Sequence, residues 1–246
     1  MTSLFLKAIL ISMPAKNAIK IYNENGFYHI YNRGVEKRDI FLDEPDFKVF
    51  LSYLKTYLLP KDINALGKIL SSNESSFAEK IKAEKEIPLK NFSSEIDLIA
   101  YCLLPNHFHL LIRQKNSDGI NRFMQAFTTR YTIYFNKKYY RAGSLFQGVY
   151  KAVLIRTEEQ LLHISRYIHL NPFSKTGLKV QNFQQISWLF SLPEYLGFRK
   201  TEWLKQEIVL NYFNRSNKGI NTYAKFMEEY ADLELLAPLA LDLNEN

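Results

Sequence analysis

Only one cysteine occurs in the 246 residues, and that scarcity excludes an internal disulfide framework. A chain held together by its core alone suits a reducing, cytoplasmic setting. Cys102 sits in the apolar run Ile99-Ala100-Tyr101-Cys102-Leu103-Leu104, so it reads as a buried structural thiol rather than a nucleophile. Long hydrophobic runs are missing as well: no stretch approaches the roughly 20 apolar residues that a membrane span needs. The first thirteen residues faintly resemble a short export signal. They have no basic leader, however, Lys7 interrupts the apolar stretch, and no small-x-small cleavage site follows. Met13 offers a second plausible start. No internal repeat is present. The expectation is a soluble, cytoplasmic protein without a membrane partner.

Acidic residues are scarce in one region in particular. From Arg113 to Lys179 there are twelve Lys and Arg against three acids, Asp118, Glu158 and Glu159, a net of +9 within a chain of net +7. Residues 180–246 carry −3 and residues 1–112 only +1. A positive field gathered in the middle third attracts a polyanion through counterion release. On charge alone, a solvated lysine-rich surface would look the same.

What is abundant is apolar and aromatic: 47% of residues are hydrophobic and 15% aromatic, enough for a sizeable core. Residues 27–31 read as a strand closed by Asn32-Arg33-Gly34. Helical spacing of Phe47, Phe50, Leu51, Leu54 and Leu58 predicts a helix over 43–59, with Asp43 as cap and Pro60 as stop. Residues 60–95 are polar and read as an inserted, mobile connection with a short helix near 75–85. Two apolar runs, 96–104 and 107–113, flank Pro105-Asn106 as a strand, tight turn and strand. A helix over 117–138 follows, then a strand over 150–156. Thr157-Glu158-Glu159 opens a further helix that runs to about residue 170, where Pro172 and Gly177 end it. The order β-α-ββ-α-β-α predicts a ferredoxin-like α+β domain, an antiparallel sheet with packed helices. On this reading the chain has an N-terminal segment (1–25), a catalytic domain (26–180) and a helical C-terminal extension (181–246). Helices are expected in the extension near 194–196, 203–213 and 221–232.

Two constellations carry chemistry. In His107-Phe108-His109, strand alternation turns both imidazoles to one face and Phe108 to the other, which makes half of a metal site. H-x-H alone is a weak signal, but here the pair lies just past a hairpin turn, where a site is both open and anchored. The second constellation is Arg166-Tyr167-Ile168-His169-Leu170-Asn171-Pro172. Tyr167 and Asn171 are four apart and share a helix face. A phenol beside a metal and a phosphate is a competent nucleophile, and an amide oxygen is a neutral ligand. A packed tyrosine before an Asn-Pro stop is the plain alternative.

Four segments in order resemble the REP-associated tyrosine transposases, members of the HUH (His-hydrophobe-His) superfamily of single-strand insertion-sequence transposases. They are Tyr28-His29-Ile30-Tyr31-Asn32-Arg33-Gly34; Leu104-Pro105-Asn106-His107-Phe108-His109; Ser144-Leu145-Phe146-Gln147-Gly148 with Tyr150-Lys151; and Tyr167 to Pro172. The likeness runs from about residue 26 to 178, and the segment around Trp203 and Glu207 resembles an extension seen in many members. Two departures stand out: Val149 where an arginine is expected, and the length of the 60–95 insertion.

The resemblance implies a transposase, a DNA endonuclease and strand transferase with Tyr167 as nucleophile and a 5′-phosphotyrosine intermediate. It also implies His107, His109 and Asn171 as ligands of Mg2+ or Mn2+, and single-stranded or hairpin DNA, such as REP-like palindromes, as partner. Asn32, Arg33, Arg122, Arg130, Gln147 and Lys151 are the expected DNA contacts. Of the other histidines, His29 reads as packing or DNA contact, His163 as sitting over Tyr167, and His169 as structural. The rival class is a regulator that keeps the fold and DNA binding without catalysis; a phosphoesterase that uses water is a third reading.

Overall fold

In the computed structural model, residues 22–176, 180–214 and 223–228 are described. The two candidate start residues, most of the N-terminal segment and the end of the C-terminal extension lie outside them.

Four strands build the sheet: β1 (Phe27–Arg33), β2 (Ile96–Leu104), β3 (His107–Gln114) and β4 (Lys151–Ile155). Their spatial order is β2-β3-β1-β4, with all neighbours antiparallel. With the helices in the predicted places between them, this is the expected α+β plan. Register follows from the alternation of side chains. Tyr31 lies opposite His109, which lies opposite Cys102, and Arg33 lies opposite His107, which lies opposite Leu104. Residues directly opposite project to the same face, so His29, Tyr31, His107 and His109 share one face. Tyr28, Ile30, Phe108 and Leu110 share the other.

Helix α1 (Glu44–Leu58) starts as predicted, with the Asp43 carboxylate accepting from the Asp46 N–H and Pro45 in the first turn. It packs with α4 (Gly119–Lys138) on the Phe108 face, where Phe50 lies 5.3 Å from Phe108 and 4.6 Å from Phe127, ring centre to ring centre. The N-terminus of α1 and the C-terminus of α4 are fastened through Asp46, which is fully buried. Lys138, Tyr134 and Tyr139 all donate to its carboxylate, and so does the Leu42 N–H. Burial alone would raise this carboxyl's pKa; the Lys138 ammonium and the three other donors outweigh it and hold the pKa below the ordinary value.

The region 60–95, read as a connection with a short helix near 75–85, holds that helix and a second one. They are α2 (Ile63–Ser71) and α3 (Phe77–Glu86). The sequence signal for α3 is a capping box of Ser76 and Glu79. For α2 it is Asp62, whose side chain accepts from the Ala65 N–H. Lys61 reaches across to the carbonyls of Glu86, Ile87 and Leu89, which end α3, and ties the pair closed.

Helix α5 (Glu158–Thr176) lies on the histidine face, and Thr157 caps it through the Gln160 N–H. It does not stop near residue 170: Pro172 lies inside the helix. Proline there removes a single N–H, the one that would bond the carbonyl of Ile168. Phe173 beyond it is buried against Phe190, with rings 5.4 Å apart, so packing carries the helix past its stop signal.

A 3-10 segment (Val180–Leu189), α6 (Leu192–Tyr195), α7 (Glu207–Asn214) and α8 (Tyr223–Glu228) wrap the β2 edge and the far side of α5. Helices α6 and α7 are displaced from the predicted 194–196 and 203–213; of the predicted 221–232 only residues 223–228 are described, and they are helical. Bridges Cys102↔Phe190 and Leu98↔Leu204 pair the β2 edge. The extension therefore satisfies backbone groups that an open edge would leave available to other chains. No described helix is long and apolar enough to cross a membrane.

Candidate active site

The site lies between the histidine face of the sheet and α5. Strand β3 supplies His107 at its first residue and His109 two residues on; β1 supplies His29 and Tyr31; α5 supplies Tyr167 and Asn171. The Tyr167 ring stands edge-to-face with His109 at 5.6 Å and with His29 at 5.9 Å between centres. The imidazoles of His107 and His109 lie 5.1 Å apart and nearly perpendicular. Asn171 Nδ2 is 3.2 Å from His109 Nε2. The two constellations, nearly sixty residues apart in sequence, thus meet across one helix–sheet contact. Burial orders the groups: His109 is fully buried, Tyr167 5% and Asn171 7% exposed, while His107 is half-buried at the rim.

Both candidate ligand histidines are oriented from behind. His107 Nδ1 lies 2.6 Å from Asn106 Oδ1, which can only accept, so Nδ1 carries the proton and Nε2 keeps its lone pair. His109 Nδ1 lies 2.9 Å from His29 Nε2, and the two rings stack at 5.1 Å. The donor chemistry suits a divalent ion: two imidazole nitrogens, plus an amide oxygen once the Asn171 side chain turns by half a rotation. Among the described residues no three His, Cys, Asp or Glu side chains converge, so a three-ligand set here needs that amide. Three protein ligands would leave positions open for substrate oxygens.

Four of the six expected DNA contacts gather at the rim. The Arg33 Nε–H donates to Gln147 Oε1 at 2.6 Å, Asn32 Nδ2 donates to the Gly148 carbonyl at 3.3 Å, and the Lys151 ammonium stands 5.8 Å from the Tyr31 ring. The Gln147 N–H donates to the Arg33 carbonyl, and the Val35 N–H to that of Leu145. The 144–148 loop is thereby fixed to the end of β1 beside His107. The other two contacts lie elsewhere. Arg122 is held by Glu95 and Asp118. Arg130 stacks on Tyr53 at 4.0 Å, against α1.

His163 and His169 face the extension. His163 accepts from Arg166 at 2.8 Å and lies 6.1 Å from the Phe226 ring. Burial and the adjacent Arg166 charge hold its pKa below the ordinary histidine value. His169 is structural, as read: Nδ1 meets the Tyr223 hydroxyl and Nε2 the Ser191 hydroxyl, each at 2.8 Å. Burial lowers its pKa to about 3, so the ring stays neutral. The sequence reading missed Asn106 as a partner of His107. It placed His29 on one face with Tyr31, able to approach the site, and read it as packing or DNA contact; the structure sets it against His109.

Comparison with curated proteins finds no match. A solved structure described as a REP-associated tyrosine transposase bound to a REP hairpin aligns with a TM-score of 0.44 at 13% identity, covering 67% of this chain and 76% of that one. A family model, that of the IS200-like transposases, matches residues 74–171. The matched stretch, which holds His107, His109, Tyr167 and Asn171, is similar to the IS200-like transposases.

Proposed function

We propose that this protein is a transposase, a single-strand DNA endonuclease and strand transferase in which Tyr167 is the nucleophile. One observation carries the reading: Tyr167 and Asn171, one helical turn apart, both meet His109 across the α5–β3 contact. In the first step the Tyr167 oxygen attacks the scissile phosphorus. A Tyr167 O–P bond forms, the P–O3′ bond breaks, the phenol gives up its proton and the departing 3′-oxygen takes one. The product is a 5′-phosphotyrosine and a free 3′-hydroxyl. Attack by a 3′-hydroxyl on that linkage reverses the step and joins strands without a nucleotide triphosphate, because the phosphodiester energy is kept in the protein–DNA bond.

His107, His109 and Asn171 would hold the divalent ion, Mg2+ or Mn2+, which when bound supplies charge stabilisation at the phosphate. The remaining groups position DNA. Arg33 and Lys151 neutralise phosphate beside the His107 rim, Asn32 and Gln147 offer hydrogen bonds there, and the +9 middle segment supplies the wider field. With exposed rings such as Tyr140 available for base stacking, the favoured partner is single-stranded DNA carrying a hairpin.

Incubating the protein with labelled single-stranded DNA and Mn2+, then denaturing it, tests the reading. A covalent protein–DNA band is expected, and Tyr167→Phe, which loses only the hydroxyl, removes it while DNA binding persists. Cleavage without an adduct would mean that water is the nucleophile. Tight binding with neither cleavage nor adduct would mean a DNA-binding regulator.

A further inference from the structure

His29 makes a contact that the proposed chemistry does not use. It is fully buried, as is His109, so no solvent competes for the 2.9 Å contact between His29 Nε2 and His109 Nδ1. The neighbouring contacts give this one a direction. At the opposite nitrogen, His109 Nε2 faces Asn171 Nδ2 at 3.2 Å. An amide nitrogen only donates, so Nε2 accepts and the proton of His109 resides on Nδ1. His29 must then accept at Nε2 and carry its own proton on Nδ1. With this direction His109 presents Nε2 toward α5. His107 is held in the same tautomer by Asn106, whose orientation is set because its Nδ2 donates to the Lys37 carbonyl at 3.2 Å. Two ligand histidines on one strand thus have separate acceptors behind them, one from the turn and one from β1.

We propose that His29 is a positioning residue: by accepting the Nδ1 proton of His109 it fixes the tautomer and ring plane that offer Nε2 to a divalent ion. The proposal rests on reading His107, His109 and Asn171 as the ligand set. It also sets His29 apart from that set, because His29 meets His109 at the nitrogen opposite the one that faces Asn171. Partners behind a ligating imidazole raise its basicity and hold its orientation, and their removal typically weakens metal binding by about 10–100-fold. A residue that merely filled space would affect stability without moving the proton on His109.

With five histidines in the chain, long-range 1H–15N spectra of 15N-histidine-labelled, metal-free protein can be assigned by single substitution. The His109 proton is expected on Nδ1 in the unsubstituted protein. It should stay there in His29→Gln, whose Oε1 reaches the position of the accepting nitrogen, and redistribute in His29→Phe. Mn2+ affinity, read by EPR titration without DNA, should fall about 10–100-fold in His29→Phe and largely recover in His29→Gln. A His109 proton on Nε2 in the unsubstituted protein overturns the proposal, even if His29→Phe fails to fold. Unchanged Mn2+ affinity in folded His29→Phe overturns it too. His107→Ala separates this inference from the reading beneath it. If His107→Ala leaves Mn2+ binding intact, the ligand assignment itself falls; if it abolishes binding while His29→Phe keeps it, only the positioning role falls.

Discussion

Mild acid should loosen the hold of the C-terminal extension on α5, and His169 sets how much. The ring is fully buried, with both nitrogens bonded to the hydroxyls of Tyr223 and Ser191, and its pKa falls from 6.5 to about 3 because burial penalises the charged form. The unfolded chain therefore takes up a proton at a higher pH than the folded one. Stability from this group is fully present above pH 6.5 and is lost as pH falls toward 3. Each pH unit between those values costs about 1.4 kcal/mol, so going from pH 7 to pH 5 costs about 2 kcal/mol. The assay is urea unfolding at pH 7 and pH 5 for the unsubstituted protein and His169→Gln, which does not titrate. The variant starts less stable, but its loss between the two pH values should be smaller by about 2 kcal/mol. Other titrating groups, His163 and the carboxylates included, are common to both proteins and cancel in the comparison. Losses that agree to within roughly 0.5 kcal/mol would refute the argument, because His169 would then take up no more protons in one state than in the other.

Three further outcomes follow from the site and its surroundings. His107→Ala or His109→Ala should cut covalent adduct formation about a hundredfold or more while leaving hairpin affinity within a few-fold; full adduct yield from both at limiting Mn2+ would remove the metal-site assignment. Hairpin-bearing single strands should bind better than plain duplex, with affinity falling roughly tenfold or more from 50 to 200 mM salt if about three phosphates are neutralised; a flat salt response would disconnect the +9 segment from binding. Tyr140 has φ +52°, where a side chain is strained, and its ring is 98% exposed, so Tyr140→Gly should raise stability by about 0.5–1 kcal/mol in thermal unfolding, and a loss would contradict the strain.

The features legible in the sequence are those set by local rules. Alternation along Phe27–Arg33 and His107–Gln114 gave the strands and the shared face of the two imidazoles. The spacing of Tyr167 and Asn171 gave their shared helix face. What local rules missed depends on distant contacts. Pro172 is a stop signal by itself, but the packing of Phe173 on Phe190 outweighs one missing hydrogen bond. Residues 60–95 read as a connection with one short helix, yet Lys61 closes an α2–α3 pair by collecting three carbonyls from the far end. Arg122 and Arg130 sit on the basic helix as sequence charge suggests, but an acid pair and an aromatic ring already hold them.

The choice among sixteen tyrosines turns on where each hydroxyl and each helix face is committed. Tyr131 donates to the Ile40 carbonyl at 2.6 Å, and burial raises its pKa. Tyr134 and Tyr139 both donate to the Asp46 carboxylate, and the pKa of Tyr134 is pushed up to about 12, by burial first and by that acceptor second. A phenol locked onto a carbonyl or a carboxylate resists losing its proton, so these three are poor nucleophiles. They also belong to the end of α4, which packs on the Phe108 face, opposite the one that bears His107 and His109. Tyr140 follows them on the same side. A nucleophile must reach a phosphate held beside those imidazoles, and sheet alternation puts α4 on the wrong side for that. Among the described residues two tyrosine rings meet His109 on that face, Tyr31 of β1 stacked at 5.9 Å and Tyr167 of α5 edge-on at 5.6 Å, and of the two it is Tyr167 that has Asn171 one turn further along the same helix face.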